Sequence, residues 1–376
     1  MKNKYNIVSN GQINISQGLW TELNSKHDKE FIKKMISDAI EENNLELPYR
    51  EITLEQAQED FKRLCELDTS TLLVNKKFES RYHYKYEFLD EYVELCNIGN
   101  KASDYFQQRN RFMCDSINAP SPYRTWKSER FRMTLLNALW TLKFREVNND
   151  RLRSAIALRK YISSQFKPSV AKYVYDRFGG SKVLDFSSGW GDRLAGFYGS
   201  KNTQSYIGID PNAKVVEKYE EQIKLYEQQG VHKMTRIIQS PAEDVNLNSK
   251  STGDYDMFDL IFTSPPYFDI ERYTQEGNQS WKRFKKLDGW LNEFLFKSIG
   301  YFWNRLQTSG HLIINISDVY CHHQIQKICD PMNDYISSLN GAKYAGAIGM
   351  RMAKRPNSKA LKEGIFAEPM WIWKKK

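Results

Sequence analysis

Apolar residues recur every three or four positions through much of the first 165 residues, as in Phe31–Ile40, Phe88–Cys96 and Leu135–Leu142. That spacing predicts helices that each bury one face. Asp28 is placed to cap the first of them. Thr53 is placed to cap the next, with Gln56 three residues on as its capping-box partner. A cluster at Ala119-Pro120-Ser121-Pro122 reads as a break within this half.

The pattern changes at Lys182. Short apolar runs now alternate with amphipathic segments: strands at Lys182–Phe186, Tyr206–Asp210, Thr235–Gln239, Phe258–Thr263, Gly310–Ile316 and Glu368–Trp373. Helices are predicted between them, at Asp192–Tyr198, Lys214–Gln229, Trp290–Leu306 and His323–Leu339. Strands in alternation with helices call for a mainly parallel sheet covered on both faces, in which ligands bind at the carboxyl ends of the strands.

Composition narrows the class. The chain has 376 residues, 55 Lys and Arg against 46 Asp and Glu, a net charge of +9 and 40% apolar residues, an ordinary globular balance. No apolar run approaches the ~20 residues of a membrane helix, and the start lacks a signal-peptide core. Five cysteines without framework spacing fit free thiols in a reducing compartment, so the expectation is a cytoplasmic protein. The 22 Tyr, 20 Phe and 9 Trp mostly serve a core, yet beside a basic balance they also suit stacking on nucleobases.

Two stretches carry chemistry. Asp185-Phe186-Ser187-Ser188-Gly189-Trp190-Gly191 follows a strand and opens a helix, where glycine lets backbone approach a ligand closely. About 20 residues on, the second strand ends in Asp210-Pro211, with the carboxylate placed to accept hydrogen bonds from ribose hydroxyls. The sharper stretch is Thr263-Ser264-Pro265-Pro266-Tyr267, directly after the strand Phe258–Thr263. Two prolines remove backbone donors and fix φ. Carbonyls and a Ser hydroxyl then form an acceptor-rich pocket suited to an exocyclic amine, beside a Tyr face for stacking.

From these residues the chain resembles the class I, S-adenosylmethionine-dependent DNA amino-methyltransferases, which modify cytosine N4 or adenine N6. Ser264 to Tyr267 matches their (Asp/Asn/Ser)-Pro-Pro-(Tyr/Phe/Trp) signature. Asp185 to Gly191 resembles their cofactor loop, Asp210 their acidic ribose ligand, and Phe166-Lys167-Pro168 the Lys-Pro pair near the methionine moiety. Gly-Trp-Gly-Asp-Arg together with Ser-Pro-Pro-Tyr-Phe is similar to a phage-type subgroup. The adenine-contacting segment departs from the family's Gly-Asp-Ala: here it is Ser240-Pro241-Ala242, followed by Glu243 and Asp244, either of which is placed to take over that contact.

The resemblance implies a Rossmann-like class I methyltransferase domain with a seven-stranded mixed sheet at 166–376; the apolar spacing places a mainly helical domain at 1–165 before it, basic towards its end and expected to bind nucleic acid and recognise the target. The resemblance also implies S-adenosylmethionine as cofactor. Cofactor contacts would come from Lys167, Pro168, Asp185, Phe186, Ser187, Gly189, Gly191, Asp210, Pro211, Ala242 and Glu243, and catalytic ones from Ser264, Pro265, Pro266 and Tyr267. The expected partner is DNA, as a duplex with a flipped base or as a single strand, read by a monomer or homodimer, with cytosine N4 favoured. RNA with the same chemistry is the alternative, and a catalytically silent nucleic-acid-binding module a third reading. A protein-glutamine methyltransferase is more distant, since those use Asn at the Ser264 position.

A basic flank is expected alongside. Between Ser121 and Lys182 stand fourteen Lys and Arg against four Asp and Glu, with Arg124, Lys127, Arg130 and Arg132 foremost as phosphate contacts. The loop Phe268–Leu287 adds Arg272, Lys282 and Arg283, placed either to clamp substrate or to close over the cofactor. Cys321-His322-His323 and Cys329 match no zinc spacing and read as residues at a helix start, so no metal is expected.

Overall fold

The computed structural model describes residues 5–159, 162–247, 257–352 and 364–376. It forms two compact units, Met1–Glu51 with Arg111–Ser164, and Ile52–Asn110 with Gln165–Lys376. The sequence pattern places a single boundary near 165. The structure instead assigns 52–110 to the same unit as the large sheet.

The first unit is helical around one core. Asp28 caps the helix Lys29–Glu42 by accepting from the Phe31 amide, as its position predicts. That helix buries Ile32, Met35, Ile36, Ala39 and Ile40 against Trp126, Leu135, Leu139 and Leu152. Pro122 opens the helix Pro122–Lys127 behind its Ser121 cap, so the Pro-Ser cluster is a helix start.

The second unit is built on a nine-stranded sheet, labelled here β1 (Leu73–Val74), β2 (Tyr92–Val93), β3 (Lys182–Asp185), β4 (Ser205–Asp210), β5 (Met234–Gln239), β6 (Phe258–Thr263), β7 (Leu306–Asn315), β8 (Ala342–Arg351) and β9 (Ala367–Lys375). Their order across the sheet is β1-β2-β8-β9-β7-β6-β3-β4-β5. β3 to β7 run parallel, and β9 lies antiparallel between β7 and β8. The chain winds outward from β3 through β4 to β5, then returns to place β6 on the other side of β3. This reversal is a topological switch point, where the connections diverge and leave a crevice above the carboxyl ends of β3 and β6.

Several expectations are corrected. The sheet has nine strands where the family pattern implies seven, because β1 and β2 come from the segment read as helical. Phe88–Cys96, with helix-like spacing, instead carries β2, whose Val93 is fully buried. β8 has no strand signal in its alternating small residues. His323–Leu339 is not one helix: Val319–Cys321 and Gln324–Gln326 form a hairpin, and only Cys329–Ser337 is helical. His322 and His323 both take positive φ to make its turn, whereas Cys329 does stand at a helix start.

The residues of 52–110 pack into this unit. Thr53 and Gln56 form the predicted capping box on the helix Leu54–Glu66. Its Phe61 stacks on Tyr226 at 4.1 Å between ring centres. The helix Asn100–Phe112 contributes Ser103, whose hydroxyl donates to the buried Asp192 carboxylate.

Candidate active site

β3 ends in Asp185, and the chain then turns through Ser187–Gly191 into the helix Asp192–Gly199. Gly189 (φ +62°) and Gly191 (φ +77°) take left-handed backbone, which glycine adopts without strain. The two do different things. A Cβ on Gly191 would collide with the Gln222 side chain, whose amide donates to the Gly191 carbonyl at 2.8 Å, so this glycine serves packing. A Cβ on Gly189 would meet no atom nearer than 3.8 Å, so the turn leaves space there.

Asp210, ending β4, faces that space. It accepts from the Gly189 amide at 2.9 Å and from the Asn212 amide at 2.9 Å. Burial pushes its carboxyl up to about 6, against the pull of those two amides. Beside it, Asn212 Oδ1 is buried with no hydrogen-bond partner among the described residues. A buried carboxylate with lone pairs to spare, an orphaned amide oxygen and an uncrowded glycine turn make an acceptor-lined cradle for a group rich in hydroxyl donors. A ribose fits that description.

Other predicted ligands have different roles. Asp185 is fully buried and saturated: Arg193 donates to it at 2.7 Å and 3.3 Å, the Tyr206 hydroxyl at 2.9 Å and the Ser187 amide at 3.3 Å. Phe186 lies in the core, stacked on Phe302 at 5.3 Å. The Ser187 carbonyl accepts from Arg193. Asp185 and Phe186 therefore hold the turn together from beneath. Lys167 begins the helix Pro168–Phe178 and donates to Asn97 at 2.9 Å. Asn97 and Gln165 line a polar pocket of about 560 Å³, and Gln165 also donates to Asp192 at 2.9 Å. Ala242 and Glu243 are buried beyond the end of β5, and the Glu243 carboxyl is raised by that burial.

β6 delivers Ser264-Pro265-Pro266-Tyr267 across the switch point. The Pro266 carbonyl accepts from Phe268, and that of Tyr267 from Ile270; among the described residues this turn does not use the carbonyls of Ser264 and Pro265. Phe268 takes φ +53°, unusual for a bulky residue, held by its buried ring packed edge-on against Trp290 and His322. Burial raises the Tyr267 phenol well above its usual range, so it stays protonated. Ser264 and Tyr267 both donate to Oδ1 of Asn315, the last residue of β7. Sequence reading places Asn315 on a strand and gives it no role.

The loop after this corner ties back onto the cradle. Tyr273 packs edge-on against Trp190 at 5.5 Å, Asn278 donates to the Pro211 carbonyl at 2.9 Å, and Arg283 reaches Glu243 at 2.7 Å and Asp244 at 2.6 Å. Arg272 is held by both Asp269 oxygens, at 2.9 Å and 3.0 Å, and lies over Trp281. Lys282 donates to the Gln275 carbonyl and lies over the same ring. The loop is thus tied to Trp190, Pro211, Glu243 and Asp244, and Arg272 and Arg283 are held by carboxylates.

Among the basic residues of the first unit, Arg124, Lys127 and Arg130 are exposed. Arg124 pairs with Asp115 at 3.2 Å and Lys127 donates to Asn44 at 3.2 Å. Arg132 is 2% exposed and donates to Ser37, to the Trp126 carbonyl and to Glu41, so it is a core residue and no phosphate contact. Lys160, within the same basic run, lies outside the described residues.

With β9 antiparallel between β7 and β8, the sheet is a Rossmann-like doubly wound arrangement, extended at one edge by β1 and β2. No family model and no curated protein matches the sequence. Similar solved chains include an rRNA methylase from Streptococcus thermophilus, 14% identical over 57% of this chain and 99% of that one, with a TM-score of 0.35. TrmN from Thermus thermophilus is 13% identical over 61% of this chain and 54% of that one, at 0.37. An S-adenosylmethionine-dependent methyltransferase from Clostridium acetobutylicum is 12% identical over 55% and 89%, at 0.32. Likeness at this level carries no information on substrate. No helix among the described residues is long and apolar enough to cross a membrane.

Proposed function

We propose that this chain is an S-adenosylmethionine-dependent methyltransferase that modifies the exocyclic amino group of a base in DNA, cytosine N4 ahead of adenine N6. The observation that carries the reading is the placement of Ser264-Pro265-Pro266-Tyr267 at the carboxyl end of β6, one strand from the turn that holds Gly189 against Asp210.

In this reading Asp210 and Asn212 hold the ribose hydroxyls, the Gly189 turn lies against the nucleoside, and the strap through Asn278 and Arg283 closes over it. The bound cofactor supplies a methyl group on a positively charged sulfur, ready for displacement. The protein's own work is on the amine. An aromatic amine is a weak nucleophile because its lone pair is delocalised into the ring. Ser264 Oγ and the Pro265 carbonyl accept its two N–H bonds, favour a pyramidal nitrogen and free the lone pair for attack on the methyl carbon. As the new N–C bond formed, the methyl–sulfur bond would break with its electron pair left on the sulfur as a neutral thioether, and the amine proton would leave toward these acceptors and on to water. Tyr267 stacks on the flipped base and offsets part of the few kcal/mol that extrusion costs. Positioning of this kind is worth effective molarities of ~10⁵ M or more.

Incubation with methyl-labelled cofactor and unmodified DNA, followed by nucleoside mass spectrometry, tests the reading. N4-methylcytosine, or N6-methyladenine, is the expected product. Label in RNA alone would move the substrate to RNA, and label in neither would refute the reading.

Two further results are expected. Burial pushes the Asp210 carboxyl up to about 6, and hydroxyl donors favour its ionised form. Its folded carboxyl lies above the ordinary value, so the empty protein loses that share of stability as pH rises through about 6, while cofactor affinity gains. Titration calorimetry should show affinity rising about tenfold from pH 5 to 7, with proton release; a flat profile would remove Asp210 from the site. For DNA, replacing Arg124, Lys127 and Arg130 by Gln should weaken binding and reduce the slope of log affinity on log salt by up to ~3, from ~0.9 per contact. Arg132→Gln should instead lower the melting temperature. An unchanged slope in the triple variant would place the DNA elsewhere.

A further inference from the structure

Asn315 is 1% exposed, at the end of β7 beside β6 on one side and β9 on the other. Its Nδ2 donates to the Pro369 carbonyl on β9 at 3.2 Å. That bond fixes which way the amide faces, since the reversed amide would set oxygen against oxygen. Oδ1 is thereby turned to the diproline corner, where Ser264 Oγ lies at 3.4 Å and Tyr267 Oη at 3.5 Å, both as donors. An amide oxygen has two lone pairs, one for each hydroxyl. Both distances stand at the long end of the hydrogen-bond range.

The Tyr267 hydroxyl has the Glu368 carboxylate as a second acceptor. The geometry points to Asn315 as the positioning residue that fixes the hydroxyl proton of Ser264, and so keeps Ser264 an acceptor toward the substrate amine. This rests on the amine-transfer reading above. A hydroxyl has one proton. If that proton is free to turn, it donates to the amine nitrogen and ties up the lone pair that must attack. Held on Asn315 Oδ1, it leaves only oxygen lone pairs facing the N–H groups. Asn315 touches neither base nor cofactor in this account, and it acts through the Ser264 hydroxyl. The consequence is specific: its loss slows the chemical step and leaves binding alone.

The test compares the wild type with Asn315→Leu, which has similar volume and no acceptor, and Asn315→Asp, which while protonated keeps both the acceptor toward Ser264 and a donor toward Pro369. With the wild type transferring methyl, the Leu variant is expected to lose about 10- to 100-fold in kcat, with KM for DNA and the dissociation constant for cofactor within about twofold. The Asp variant is expected to keep most of kcat at low pH, where its protonated oxygen donates to the Pro369 carbonyl as Nδ2 does, and to lose it as pH rises and the carboxyl ionises against that carbonyl, a limb that the wild type lacks. An active wild type with an equally active Leu variant overturns the assignment while the amine reading stands. So does an Asp variant whose kcat is lost at every pH, which also decides the matter should the Leu variant fail to fold. A wild type with no transfer to any nucleic acid overturns the reading, and this assignment with it.

Discussion

Replacing Ser264 by Ala is expected to cut the rate of methyl transfer by about 10²- to 10³-fold, the loss that follows when one pre-aimed polar partner of a reacting group is removed. Tyr267→Ala should cost ~1–3 kcal/mol of base stacking, read as a fall in kcat/KM. Tyr267→Phe keeps the ring and should retain most of that. All three should bind cofactor within about twofold of wild type, because the ribose cradle stands on β3 and β4 and the corner on β6. Single-turnover assays with a fixed DNA duplex, paired with calorimetry of cofactor binding, separate the two effects. Full turnover in both Ala variants would take the corner out of the chemistry.

The second large effect concerns stability. Asp185→Ala leaves the Arg193 guanidinium, itself buried, without its carboxylate. Breaking such a pair from one side costs about 3–5 kcal/mol, because an uncompensated charge stays behind. In a domain of this size that lowers the melting temperature on the order of 10 °C. The sequence pattern casts Asp185 as a cofactor ligand, and the structure casts it as the anchor of the turn. A melting temperature unchanged in the absence of cofactor, with affinity for cofactor lost, would favour the ligand role. A melting temperature that falls with or without cofactor would favour the anchor.

What the sequence reveals depends on how local the cause is. The strands β3 to β7 are legible because each is a short apolar run ended by a turn, and Asp28 and Thr53 are legible because a cap is a contact over three residues. β2 is hidden because Tyr92 and Val93 are two residues paired to Gly349 and Met350, more than 250 positions away. The hairpin after Asp318 is hidden because its turn is made by His322 and His323 at positive φ, a conformation more usual for Gly, Asn or Asp. The same holds at the site. Ser264 to Tyr267 and Asp210 announce themselves by residue type and spacing. Asn315 does not, because its place beside them comes only from the pairing of β7 with β6. The charges mislead for a related reason. Arg132, Arg272 and Arg283 look like phosphate contacts in a basic run until Glu41, Asp269 and Glu243 are found opposite them. Likewise the aromatic surplus goes largely inward, with Trp126, Trp290, Trp303, Trp371 and Trp373 all among the largest buried side chains.

The most direct check is a crystal structure with S-adenosylhomocysteine and a short DNA duplex bound. The account predicts ribose hydroxyls on Asp210, the thioether sulfur facing the space in front of Ser264 Oγ and the Pro265 carbonyl, and an extruded base on Tyr267 with its amine on those two acceptors. A nucleoside bound away from Asp210, or a corner closed off from the sulfur by protein, would contradict it.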